Sequence, residues 1–155
     1  MPSSPPSQGK PSPDLFNALR ATRRVQNFAA GSTLFCQGSA VRGVYLVEGG
    51  EVRVLLTAGQ SRRQLLEVAG PGDILGLSES MCGETYRITA EANADTSVVF
   101  IPRQELVAFL RENVDFCLQV VRILSEDLHG LYHKFRSITA HPGRPRQRAL
   151  EEQLN

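Results

Sequence analysis

The sequence predicts a mainly β fold: an eight-stranded antiparallel jelly roll (a double-stranded β-helix) with flanking helices, followed by a long C-terminal dimerisation helix. Three observations predict it. Ten of the thirteen glycines lie between Gly31 and Gly83, among short apolar runs, a pattern of turns joining strands. Within it, VYLVEGGEVRVLL sets Gly49–Gly50 between two alternating segments, the signal of a tight hairpin. After Pro102 the apolar spacing changes from the strand period to a heptad period.

Met1–Pro13 holds five of the nine prolines together with Ser3, Ser4, Ser7 and Ser12. It has no apolar residue after Met1 except proline, so burial cannot offset its ordering entropy, and it reads as a disordered tail over 1–13. Asp14–Ala21 reads as a short helix capped by Asp14, with Leu15, Phe16 and Leu19 on one face. The predicted strands are Arg24–Phe28, Thr33–Cys36, Val44–Val47, Val52–Leu56, Gln64–Ala69, Ile74–Leu77, Arg87–Ala92 and Ser97–Ile101. In the fourth, Val52, Val54 and Leu56 face one side and Arg53 and Leu55 the other, with Glu51 before them. Short strands this closely spaced manage their edges by closing two sheets on each other.

Arg103–Leu110 reads as a short helix and Glu112–Ile138 as a long one, free of proline and with the single glycine Gly130. Written in heptads, its two apolar series are Val114, Val121, Leu128, Phe135 and Cys117, Leu124, Leu131, Ile138. Phe116, Val120 and Ile123 make a second apolar face over the first half only. That half is expected to lie on its own β-domain while the seam meets another helix. The domain offers no second long helix, so the expected partner is a second copy, in a parallel homodimer. The alternative is a core helix packed on the sheet, whose stripe would be broader and would end with the sheet. Pro142, Gly143 and Pro145 stop the helix, which leaves 139–155 as a linker or the start of a further domain.

Composition narrows the function. With 155 residues there is room for one domain, 14–138. Seventeen Lys and Arg against sixteen Asp and Glu give a net charge of +1, and no global case for a nucleic-acid or membrane binder. Cys36, Cys82 and Cys117 are far apart in sequence, without a CxxC pair, which argues against a zinc or iron–sulfur module and for a reducing compartment. No apolar run approaches the roughly 20 residues of a membrane span, and no signal-peptide core stands at the N-terminus, so the chain reads as cytoplasmic. His129 and His133 lie one helical turn apart but lack a third ligand, and read as a solvated face; no metal is expected. Glu79 and Glu84 lack a nucleophile or an oriented histidine, and read as solvated loop charges. No catalytic residue is expected, and the chain does not read as an enzyme.

Three segments carry a resemblance. VYLVEGGEVRVLL resembles the hydrophobic hairpin, PGDILGL the segment leading into the phosphate-binding cassette, and ITAEANADTSVVFIP the strand–turn–strand after it, of the cyclic-nucleotide-binding domain. The branch resembled is the cyclic-AMP receptor protein/Fnr family of transcription regulators, over Leu15–Ile138. In that family a glycine–glutamate pair opens the cassette and an arginine followed by a small residue closes it. The glutamate takes the ribose hydroxyl and the arginine the cyclic phosphate. Here the stretch is GLSESMCGETYRITAEA. Laid down without gaps, Gly76 matches the glycine, while Leu77 stands at the glutamate position and Tyr86 at the arginine position. Arg87 comes one residue later, and on a strand one step turns a side chain to the opposite face. It reaches the site only if the turn is one residue longer.

The resemblance therefore implies a ligand site of Gly76, Leu77, Ser78, Tyr86, Arg87 and Ile88. Removing one partner of a buried charge pair costs about 2–5 kcal/mol, so no cofactor is expected and cyclic-nucleotide binding is expected to be weak or absent. The function implied is the sensory and dimerisation domain of a bacterial transcription regulator with a degenerate cassette. The alternative is a stand-alone protein-interaction domain with a vestigial pocket and no small-molecule ligand. The resembled family reads DNA with a winged helix-turn-helix after the long helix. Only 17 residues follow Ile138, so this stretch alone is not expected to bind DNA sequence-specifically. Arg144, Arg146 and Arg148 in the tail read as linker charges.

Overall fold

Nearly every short apolar run between glycines becomes a strand. The structure, a computed structural model, describes residues 11–21, 24–59 and 62–126. In chain order the elements are α1 (Pro13–Arg20), β1 (Val25–Phe28), β2 (Thr33–Phe35), β3 (Gly43–Gly49), β4 (Val52–Ala58), β5 (Arg62–Ala69), β6 (Ile74–Leu75), α2 (Leu77–Cys82), β7 (Thr89–Ala92), β8 (Thr96–Pro102) and α3 (Arg103–Glu112). The strands form two four-stranded sheets, ordered β1-β8-β3-β6 and β2-β7-β4-β5, and every pairing is antiparallel. This is the jelly roll the sequence predicts.

Several boundaries move for physical reasons. Ser12, not Asp14, caps α1: its Oγ accepts the Leu15 N–H at 3.2 Å, and its hydroxyl donates to Gln119 Oε1 at 2.6 Å. Pro13, expected in the tail, is the first residue of α1, where a missing N–H costs nothing and its fixed φ suits the helix. The expected strand Ile74–Leu77 stops at Leu75, and Leu77 opens α2 instead. Arg87 and Ile88 precede β7 rather than belonging to it. In β4 the alternation fails at Leu55, which is buried while Leu56 is only half-buried. The register with β5 slips there, Val54 facing Glu67 and Leu55 facing Leu65, so Leu66 is one residue too many. Such a bulge re-aims the side chains beside it.

The interior of the roll is filled by Leu34, Phe35, Tyr45, Val47, Val52, Val54, Leu75, Tyr86, Ala90 and Val98 with their neighbours. β3 and β8 are buried on both faces. Tyr45 and Val47 pair with Phe100 and Val98 toward the interior, whereas Val44 and Leu46 pair with Ile101 and Val99 on the opposite face. α3 packs on β3 and β8 and buries Leu106 and Leu110. This is why the run Val44–Val47 is apolar throughout instead of alternating.

The expected long helix is interrupted near its start. Glu112 ends α3, and Asn113 leaves the helical region at φ −128° and ψ 81°, its Nδ2 donating to the Phe109 carbonyl at 2.8 Å. Helix resumes as α4 over 114–126. The described residues up to Val120 form one compact unit, and 121–126 belong to another. Of the expected apolar face, Phe116 is half-buried, stacked on Phe109 at 5.6 Å, and Val120 is buried. Of the expected seam, Val114 and Val121 are 65% and 53% exposed, while Cys117 and Leu124 are half-buried. Leu118, off the expected seam, is 59% exposed. Leu128, Leu131, Phe135, Ile138, His129, His133 and the tail lie outside the described residues. Among the described residues no helix is long and apolar enough to cross a membrane.

Candidate functional site

The site begins where β6 ends. Gly76 takes φ +82°, a left-handed conformation that a side chain disfavours. A Cβ there would also lie 3.1 Å from the Gly43 carbonyl oxygen and 3.2 Å from Cε1 of Tyr86. The backbone thus turns tightly against Tyr86 and launches α2. On that short helix Leu77, Glu79 and Ser80 are buried, and Ser78 and Cys82 are exposed. The helix closes with the Gly83 N–H donating to the Glu79 carbonyl at 2.7 Å.

Beyond α2 the chain runs antiparallel to residues 38–41. The Tyr86 N–H donates to the Ser39 carbonyl at 2.9 Å, the Gly38 N–H to the Tyr86 carbonyl at 2.8 Å and the Val41 N–H to the Glu84 carbonyl at 3.0 Å. This pairing drives the Tyr86 side chain into the roll, where the residue is 2% exposed. Its ring stacks on Phe35 with centroids 4.0 Å apart; Phe35 meets Tyr45 at 5.4 Å and Tyr45 meets Phe100 at 4.9 Å. The phenol is fully used. It donates to the Gly43 carbonyl at 2.8 Å and accepts the N–H groups of Arg42 and Gly43, each at 3.2 Å.

The Tyr45 phenol beside this stack is also shifted in acidity. Burial pushes its phenol up to about 12; the neighbouring Tyr86 adds to this, and Arg42 works against it.

Of the six residues the sequence nominated, Tyr86 lies in the buried cluster and Ile88 packs against it, Gly76 lies against the Tyr86 ring, Leu77 is buried on α2, and Ser78 and Arg87 are exposed. The one-residue alternation separates Tyr86 from Arg87 as expected. Glu79, expected to be a solvated loop charge, is 8% exposed. Its Oε2 accepts the Arg87 N–H and its Oε1 the Ser78 hydroxyl, both at 3.2 Å. Its position on the inner side of a one-and-a-half-turn helix buries it, and no spacing rule flags that.

Sequence reasoning also missed Arg103. Its Nε donates to the Ser80 carbonyl at 2.8 Å and its Nη2 to the Gly83 carbonyl at 2.5 Å. An arginine following a proline gives no hint of a target twenty residues upstream. Elsewhere, Arg53 and Arg63 both pair with Glu91, Arg53 at 3.0 Å, bridging β4, β5 and β7. Among the described residues no group of three His, Cys, Asp or Glu side chains is placed to hold a metal ion.

Comparison with known proteins places this geometry in context. Residues 25–113, more than half the chain, match the family described as the cyclic nucleotide-binding domain. The chain is similar to the CRP-like cAMP-activated global transcriptional regulator of Mycobacterium tuberculosis, at 23% identity over 90% of this chain and 63% of that protein. It is also similar to the transcriptional activator protein FnrA of Stutzerimonas stutzeri, at 30% identity over 68% of this chain and 43% of that one. It covers only 7% of a patatin-like phospholipase domain-containing protein of Homo sapiens that it also matches. The chain thus spans less than two thirds of the length of each of these relatives. Among solved structures, the catabolite activator protein of Thermus thermophilus shares the fold with a TM-score of 0.75, at 20% identity over 83% of this chain and 60% of that one.

Proposed function

The chain belongs to the cyclic nucleotide-binding domain family, in its CRP/Fnr branch, and from that premise we propose that it is the sensory and dimerisation domain of a cytoplasmic bacterial transcription regulator whose cassette is closed by its own side chains. It has no catalytic role. The observation that carries this reading is the Tyr86 phenol. At the position where the resembled family keeps a phosphate-pairing arginine, the side chain is a buried ring whose only polar atom is bonded three times to the protein's own backbone. Leu77, at the ribose-binding position, is buried and has no acceptor to offer. A cyclic nucleotide arriving here would meet neither charge and would have to displace a stacked aromatic pair.

The second half of the proposal is a parallel homodimer through the long helix. Val114 and Leu118, four residues apart on α4, offer large apolar side chains to water, spaced as a helix–helix contact requires. Sequence-specific DNA recognition is not assigned to these 155 residues.

Calorimetry tests the closed cassette. Wild-type protein should bind cyclic AMP and cyclic GMP no tighter than millimolar, about −4 kcal/mol. The double substitution Leu77→Glu with Tyr86→Arg restores both charges, and should gain more affinity than either change alone. Micromolar binding by the wild type, abolished by Arg87→Ala, would refute the reading and make Arg87 the phosphate ligand.

A further inference from the structure

A helix of six residues has almost no stability of its own, because nucleation costs more than so few bonds return. What holds α2 in place is therefore its buried face of Leu77, Glu79 and Ser80 together with whatever grips its ends. Its last carbonyls, at Ser80 and Gly83, are taken by one guanidinium, that of Arg103, the first residue of α3. A cation at that end also suits the helix dipole. The Arg103 N–H donates to the Arg42 carbonyl at 2.9 Å. The same two-residue segment, Arg42–Gly43, is held from inside the roll by the Tyr86 phenol. The two ends of the cassette are thus tied to one anchor, Tyr86 directly and α2 through Arg103. Because α3 runs through Asn113 toward α4, the tie also joins the cassette to the helices that follow it.

We propose that Arg103 is a latch that keeps α2 docked on α3 whether or not a ligand is present. The proposal rests on the reading that Tyr86 closes the cassette, and it adds the regulation of that site: the domain is held permanently in one state, and its helices receive no ligand-driven displacement. Arg103 is a positioning residue, since its guanidinium donates to backbone carbonyls of the cassette.

Hydrogen exchange on the full chain tests it, with wild type, Arg103→Gln and Arg103→Lys, each with and without millimolar cyclic AMP. The amides of Ser80, Gly83 and Tyr86 are hydrogen-bonded, so they report on the latch directly. In the wild type they should be protected, with no change on adding cyclic AMP. Arg103→Gln should speed exchange across 77–83 by about tenfold or more while β3 and β8 keep their protection. Arg103→Lys keeps the charge without the fork, should fall between, and serves if the glutamine variant does not fold. Unchanged exchange across 77–83 in both variants would overturn the latch. Equal acceleration across the whole domain would overturn it too, by reducing Arg103 to a general stabiliser. Micromolar cyclic AMP binding by the wild type would instead overturn the closed-cassette reading beneath it, whatever the variants do.

Discussion

Tyr86 and Gly43 hold each other twice: the phenol donates to the Gly43 carbonyl at 2.8 Å and accepts the Gly43 N–H at 3.2 Å. No smaller or purely apolar side chain reproduces that pair. Tyr86→Phe keeps the stack on Phe35 but strands buried backbone groups, at a cost of about 1–3 kcal/mol. The expected result is a fall in the thermal midpoint of roughly 3–8 °C, with the denaturant slope unchanged.

Gly43 makes a second prediction, by a different mechanism. Its φ is not left-handed, yet a Cβ there would lie 2.1 Å from the Ile101 carbonyl oxygen on the paired strand. Backbone in a sheet centre cannot retreat. Gly43→Ala should destabilise by more than about 4 kcal/mol or prevent folding. Gly59→Ala, at φ +73° but facing open space, should cost only about 1 kcal/mol. Chemical denaturation of the two variants side by side separates crowding from backbone strain.

Tyr45 predicts a loss of stability in alkali. Its phenol is raised to about 12 in the folded protein, against 10.0 unperturbed, so between those values the folded state retains a proton the unfolded state has released. Unfolding stability is therefore complete below pH ~10 and falls as pH rises toward 12, by about 2–3 kcal/mol for this group. Urea denaturation between pH 9 and 12 (roughly the window of the shift) should show that decline, and Tyr45→Phe should flatten it. Absorbance of tyrosinate should show the Tyr45 phenol titrating late.

The exposed stripe of α4 predicts a monomerising substitution that spares the domain. Leu118 is 59% exposed, so Leu118→Lys adds no burial penalty within one chain. In a helix pair it removes apolar contact worth about 1.5–3 kcal/mol per side chain and introduces facing charges. Sedimentation should show a dimer at tens of micromolar for the wild type and a monomer for Leu118→Lys or Leu124→Lys, with unaltered thermal unfolding of the roll. A monomeric wild type would refute the pairing.

The roll was legible because its signals are local and redundant. Gly49–Gly50 with flanking alternation specifies a hairpin whatever surrounds it, and eight such runs leave few ways to close. The cassette was legible only by position. Counting from Gly76 placed Tyr86 inside and Arg87 outside, since alternation along an extended segment needs no tertiary knowledge. Burial of Glu79 and the reach of Arg103 to Ser80 and Gly83 depend on how α2 leans on α3, which spacing does not encode. The cap of α1 was misassigned for a related reason. Ser12 and Asp14 are both good cap residues, and Pro13 at the first helical position decided between them.

The bulge at Leu66 bears on how the domain behaves in a crowd. β5 is an edge of its sheet, and Leu65, Leu66 and Val68 along it are exposed, which inclines it to recruit a foreign strand. An arriving strand would find the hydrogen-bonding rhythm of that edge broken by the extra residue, and the exposed side chains of Arg62 and Arg63 at its entrance. A broken rhythm and a charged entrance are what natural sheets use to frustrate fibril growth, so this apolar edge is also a poor template for amyloid.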